Sequence, residues 1–228
     1  MPQKTASEKT EAEIAFSVLE YTAVFKKPII EAWATPAALV AAVLEALEPW
    51  GFKLDGVEAK TQTERLGEYA IVFRRTTPVA PGMTLTLGLG KVLVTAENLD
   101  WAEAEQFIAQ LQAALNAILQ IARAEVQSQH VGIGMHIQLK TRPRRDVTAP
   151  LLDPLAFTIL DGEVKFPGII LLREKSSIVI DASVAHANGL FVRMFREHPP
   201  DSTLKQLAEA LRRDEEQLFG VLGLEGAL

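Results

Sequence analysis

The chain has 228 residues, of which 48% are hydrophobic and 23% charged, with a formal net charge of -6 and no cysteine. This composition is typical of a folded protein with a sizeable core and argues against intrinsic disorder. The lack of cysteine excludes disulfide-stapled scaffolds, thiolate zinc sites and cysteine nucleophiles, and the acidic balance disfavours general nucleic-acid binding.

The first predicted elements are a polar leader, a strand and a helix. Residues 1–12 are mixed in charge and lack the apolar stretch of a signal peptide, so we expect them to be frayed. Ile14–Phe25 is rich in β-branched and aromatic residues and predicts a strand. Thr35 and Pro36 are typical of a helix start, and Gly51 marks the stop after an apolar stripe.

Three strands, a long helix and a further strand follow. Alternation of apolar and polar residues predicts strands at 69–74, 83–89 and 91–95. An apolar stripe predicts a helix over Trp101–Gln127, roughly 40 Å long. Val131–Leu139 alternates again and predicts another strand. This order predicts an α+β antiparallel-sheet sandwich with the ferredoxin-like order β-α-β-β-β-α-β.

A basic, proline-punctuated stretch, Lys140–Pro150, predicts a boundary between domains at 13–142 and 147–228, although the two could pack as one unit. The sequence of residues 147–228 predicts a smaller β-meander followed by a C-terminal helical hairpin, with Asp214 capping the second helix of the hairpin. Its other predicted elements are a short helix over 151–160 and strands over 163–173, 177–184 and 190–197.

Motifs for catalysis or cofactors are weak throughout the chain. Gly88-Leu89-Gly90-Lys91 resembles a phosphate loop only in composition, because the spacing is wrong and a strand follows it. We interpret it as a bend in a β-ribbon. The four histidines lack the helical spacing of a metal motif. The sequence therefore predicts no metal, no cofactor and no catalytic residue.

One strand face combines open backbone with polar side chains. On the strand after the long helix, Gly132 and Gly134 share a face with His136, Gln138 and Lys140. These three polar residues are the predicted ligand-binding site, although the glycines could equally serve close helix packing.

The dense basic run Arg142, Arg144 and Arg145 predicts contact with an anion or an acidic partner surface. Nucleic acid is an improbable partner because the run lacks aromatic residues. The two predicted C-terminal helices have the lengths and spacing of a helix-turn-helix motif. The second helix would begin Asp214-Glu215-Glu216-Gln217, however, and these carboxylates would repel DNA phosphates.

The long helix carries more apolar stripe than one small sheet is expected to cover. The sequence therefore predicts a non-enzymatic, homo-oligomeric assembly or interaction protein that contacts its partner through strand edges or apolar helix faces. The alternative is a small-molecule binding protein or enzyme with a site on Gly132–Lys140.

No segment is apolar enough to span a membrane, which predicts a soluble, cytoplasmic protein. The predicted interface residues are Leu111, Leu115, Ile118, Phe219 and Leu222.

Overall fold

The computed structural model describes residues 9–34, 36–60, 69–75, 82–99, 101–151 and 168–225. They fall into two compact units that interleave along the chain. Unit 1 takes the described residues up to Ser17, those of Ile133–Phe195 and those from Ala210 onward. Unit 2 takes those of Val18–Gly132 and Arg196–Glu209. The fold class is α+β, as predicted.

Unit 2 is an antiparallel sheet with two helices. Its strands lie in the order β2-β3-β4-β5-β1-β6, where β1 and β6 continue into unit 1. The apolar residues that alternate along β3, β4 and β5 form one buried face, on which Phe73, Leu85 and Val92 are fully buried. The bounds are β1 Thr10–Phe25, α1 Pro36–Leu47, β2 Phe52–Lys60, β3 Ala70–Arg75, β4 Met83–Gly88, β5 Lys91–Glu97, α2 Trp101–Ala122 and β6 Val126–Leu139.

The predicted ferredoxin-like order is not confirmed, because β2 is an additional strand between α1 and β3. Most of its side chains are exposed, so its sequence carries no apolar alternation. Gly51 does stop the preceding helical segment, with a φ of 75° that favours glycine. The predicted cap Thr35 lies outside the described residues.

Helix α2 is shorter than predicted. It ends at Ala122, where Arg123 adopts a left-handed backbone with φ 47°, and the chain enters β6 at Val126. The predicted apolar stripe of α2 does face the core, because Phe107, Leu111 and Ile118 are buried. Trp50 packs edge-on against Phe107 with ring centroids 5.1 Å apart. Helix α1 also packs against α2, so the stripe is covered within the chain.

Unit 1 contains the predicted meander. Its strands lie in the order β1-β6-β9-β8-β7, so the last three strands are successive neighbours, and β10 pairs in parallel with the start of β1. The bounds are α3 Arg144–Thr148, β7 Ile169–Arg173, β8 Ser176–Ala182, β9 Gly189–His198, α4 Leu204–Leu222 and β10 Leu224–Glu225. The predicted helix over 151–160 lies almost entirely outside the described residues.

The predicted C-terminal helical hairpin is wrong, because α4 is one continuous helix of 19 residues. Its first turn has a capping box in which Thr203 N donates to Gln206 Oε1 and Gln206 N donates to Thr203 Oγ1. Between Leu204 and Phe219 this helix contains neither glycine nor proline, and Asp214 lies within it rather than at a cap.

A buried polar network in unit 2 joins β1 and β6 to the segment before α4. Tyr21 Oη donates to Gln129 Oε1 at 2.8 Å. Gln129 Nε2 is directed at the carbonyl oxygens of Pro199, Pro200 and Ser202, at 3.2, 3.0 and 2.8 Å. Both side chains of the Tyr21–Gln129 pair are at most 5% exposed. The network therefore fixes the 199–202 segment to the sheet.

Burial raises the pKa of Tyr21 above its ordinary value of 10.0. Above pH 10 the unfolded chain releases this proton first, so the stability that Tyr21 contributes is full below pH 10 and is lost as the pH rises further. We expect Tyr21→Phe to lower the free energy of unfolding by about 1–2 kcal/mol at neutral pH. This deficit should shrink by about 1 kcal/mol between pH 9 and 11.

Urea unfolding of the wild type and Tyr21→Phe across this pH range checks the prediction. Tyr69→Phe, at the chain's other tyrosine, controls for the substitution itself. A deficit that stays constant with pH would contradict the assigned burial effect.

The described helices include none long and apolar enough to cross a membrane.

Candidate functional site

The predicted polar face of β6 lies in unit 1. The apolar residues Met135, Ile137 and Leu139 are buried, as the alternation predicted, while His136 and Gln138 are half-buried and Lys140 is exposed. The strand thus presents all three predicted ligand-binding residues on the face opposite the core.

His136 is held in a defined orientation. Its Nδ1 lies 2.8 Å from Ser183 Oγ, which already accepts hydrogen bonds from the backbone N–H groups of Ala185 and His186. The hydrogen bond between Ser183 and Nδ1 therefore fixes the orientation of the His136 ring. The rings of Phe16 and Phe191 lie on either side, with centroids 6.5 and 5.1 Å from that of His136.

Lys140 is engaged by two neighbours. Its Nζ donates to Gln138 Oε1 at 2.8 Å and lies 2.9 Å from Glu13 Oε2. The hydrogen bond and charge of Lys140 lower the pKa of Glu13 below its ordinary value, with a smaller contribution from the charge of His186. The three predicted residues thus form two separate groups, one at His136 and Ser183 and one at Gln138, Lys140 and Glu13.

Hydrogen bonds to Asn188 hold the basic run Arg142–Arg145 in place within unit 1. The amide of Asn188 donates to the carbonyl oxygens of Leu139 and Arg142 and accepts from the backbone N–H of Arg144. Arg142 also donates to the carbonyl oxygen of Asp146. Arg142 and Arg144 are half-buried and only Arg145 is exposed, so the run does not form one open cationic patch.

Gly189 is needed where the turn from β8 returns to the sheet. A Cβ at this position would lie 2.8 Å from His186 Cβ and 2.9 Å from the carbonyl oxygen of Ile137. We expect Gly189→Ala to lower the free energy of unfolding by about 2 kcal/mol, because backbone would have to shift.

Chemical denaturation checks this expectation. Gly90→Ala is the matched control, because a Cβ there would meet nothing within 4 Å. Equal stability of Gly189→Ala and Gly90→Ala would contradict the predicted clash.

The residues predicted as an interface are core residues of the chain. All five are at most 5% exposed, so none offers a surface to a partner in this structure. They are Leu111, Leu115 and Ile118 on α2 and Phe219 and Leu222 on α4.

An exposed apolar surface lies instead on β7, the last strand of the unit 1 sheet in the described part of the chain. Ile170, Leu171 and Leu172 are 64%, 42% and 74% exposed. One edge of β7 pairs with β8, and Ile169 on its inner face is buried. We call Ile169–Arg173 the β7 edge.

The edge strand of unit 2 has a different character. This strand is β2, and its register with β3 shifts between Phe52 and Val57, which marks a bulge or irregularity. The charged residues Lys53, Asp55 and Glu58 are exposed along β2. Charges and bulges are devices that protect sheet edges from pairing with other chains. The β7 edge has neither from Ile169 to Leu172.

Sequence reasoning included β7 in a predicted strand but did not identify it as a site. The signal was the uninterrupted run Ile169-Ile170-Leu171-Leu172, which is typical of a strand buried on both faces. Only the sheet order reveals that this run lies at an edge.

Within the described residues, no three histidine, aspartate or glutamate side chains come together as a metal ion would require. Comparison with protein-family models and with curated proteins found no match to this chain.

Proposed function

We propose that this chain is a non-enzymatic, cytoplasmic assembly protein that forms a homodimer through the β7 edge. A strand at the end of a sheet presents unpaired N–H and C=O groups that can pair with another strand. Pairing would also shield the flanks of the Ile170, Leu171 and Leu172 side chains from water through cross-strand contacts. The observation that supports the proposal is the exposed aliphatic run Ile170–Leu172 on this edge.

A second copy of the chain is the partner that best fits the β7 edge. Antiparallel pairing about a two-fold axis is self-complementary and closes after two subunits. If it is centred on Leu171, all five residues of β7 overlap and Ile170 lies opposite Leu172 on both sides of the axis. Arg173 then lies opposite Ile169, so no like charges face each other. Pairing with β2 would instead meet a bulged, charged edge.

A contact built on five-residue strands is smaller than a standard stable interface, so we expect the dimer to depend on concentration. Sedimentation velocity from low micromolar to near millimolar concentration tests this. The expected result is a shift from the 25.0 kDa chain toward twice that mass as concentration rises. A 25.0 kDa species at every concentration would overturn the proposal.

A second candidate function is small-molecule binding on the polar face of β6. It is favoured by the orientation of His136, which Ser183 fixes between two phenyl rings. If native mass spectrometry of the purified chain shows a retained small molecule, His136→Ala and Lys140→Ala should lose it. Full retention in both variants would exclude this site.

A further inference from the structure

Unit 2 contains a cavity of about 200 Å³ that is separate from both surfaces described above. It lies between α2, the strands β1 and β6, and the segment that precedes α4, and every residue that lines it belongs to unit 2. An apolar cavity of about 150 Å³ is large enough to hold benzene. The cavity therefore has room for a molecule of one or two small rings.

Both apolar and polar residues line the cavity. Leu115, Ile118 and Leu119 contribute from α2, and Phe25 and Val126 contribute from the strands. Of the described residues that line it, only Asp201 carries a charge, and it is acidic and exposed. No lysine, arginine or histidine is among them to compensate an anion. Because an unpaired charge is costly to desolvate, the cavity suits an uncharged ligand.

The Tyr21 hydroxyl offers a hydrogen-bond acceptor at the polar end of the cavity, which Asn116 and Ser202 also line. Tyr21 has one hydroxyl proton and donates it to Gln129, so its oxygen retains only lone pairs. The amide protons of Gln129 are directed at backbone carbonyl groups. Gln112 Nε2 donates to Asn116 Oδ1, and Gln112 Oε1 accepts from Leu204 N. A ligand that carries an O–H or N–H donor can therefore bond to the Tyr21 oxygen.

We infer that this cavity binds a small uncharged ring compound that carries one O–H or N–H donor, of the size of phenol or indole. The ring contacts Ile118 and Val126, and the donor points to the hydroxyl oxygen of Tyr21. This inference does not depend on dimer formation through the β7 edge.

Methyl-labelled NMR titration of the full chain tests the inference with four probes: phenol, indole, toluene and benzoate. Phenol and indole should cause saturable shifts of the Ile118 and Val126 methyl signals. Toluene, which lacks a donor, should bind about fivefold more weakly, which is the equivalent of one ordinary hydrogen bond. Benzoate should not bind. Absence of saturable shifts with phenol and indole, or saturable binding of benzoate, would overturn the inference.

Three variants, one of which is a control, locate the site. Val126→Phe should abolish the shifts by filling the cavity, whereas Val18→Phe, at a half-buried valine of β1 that does not line the cavity, should preserve them. Tyr21→Phe should reduce the preference for phenol over toluene about fivefold. If phenol binds Tyr21→Phe and Val126→Phe as it binds the wild type, the assigned site is wrong.

Discussion

Gln129→Leu should destabilise the chain by about 3 kcal/mol, the largest loss that we expect from a single polar side chain. Gln129 is 4% exposed, and its amide links Tyr21 with the carbonyl oxygens of Pro199, Pro200 and Ser202. Leucine has a similar volume but neither accepts nor donates. The substitution therefore leaves buried polar groups without partners, and each such group costs about 1–3 kcal/mol.

Urea unfolding followed by circular dichroism measures the loss. Gln127→Leu is the matched control, because Gln127 lies on the same strand and is exposed. We expect Gln127→Leu to change the free energy of unfolding by less than about 0.5 kcal/mol. Hydrogen exchange should also rise at the first turn of α4 in Gln129→Leu. Equal effects of the two substitutions would show that the network does not stabilise the fold.

Leu172→Lys should weaken the proposed dimer about 100-fold without unfolding the subunit. Leu172 is 74% exposed, so its substitution disturbs no core packing. Across a two-fold axis each substitution acts twice, and each copy loses a cross-strand aliphatic contact with Ile170 worth about 1 kcal/mol. A lysine on the edge also opposes pairing, as it does on natural edge strands.

Leu54→Lys is the matched control for this prediction. Leu54 is 70% exposed and lies on β2, the edge strand of unit 2, so the same change in charge is introduced at a similar exposure. Sedimentation velocity should show that Leu54→Lys retains the wild-type dimer fraction. Equal dissociation by the two variants would implicate net charge rather than the β7 edge.

The elements that could be predicted are those with a strong periodicity. In β6, Met135, Ile137 and Leu139 alternate with polar residues, and these three are buried in the structure. The apolar stripe of α2 was correct for the same reason. Both elements cover one face of a core, and burial on one face imposes the period that the sequence reveals.

Strand β2 was missed and helix α4 was wrongly divided, each for a different reason. Strand β2 is mostly exposed, so nothing in its sequence alternates. In α4, Asp214 had the residue type of a cap, but the stripe through Leu211 and Leu218 continues past it and is buried. Tertiary packing of that stripe outweighs the local preference of one aspartate.

The candidate site was predictable only in part. The alternation placed His136, Gln138 and Lys140 on one face, as the structure does. The partner of His136 was not predictable, because Ser183 lies 47 residues away. The Tyr21–Gln129 pair of unit 2 was missed for the same reason, since 108 residues separate its members. The exposure of Ile170, Leu171 and Leu172 likewise follows from the order of strands in the sheet, which no local pattern encodes.

The proposed β7 contact is tested most directly by a single introduced thiol. The chain has no cysteine, so Leu171→Cys provides the only thiol in the protein. Directly opposed positions of antiparallel strands have Cβ atoms about 4.5–5.5 Å apart, within reach of a disulfide after small adjustment. Under mild oxidation Leu171→Cys should form a disulfide-linked dimer much faster than Leu54→Cys on the β2 edge. Equal, slow cross-linking of both variants would contradict pairing through β7.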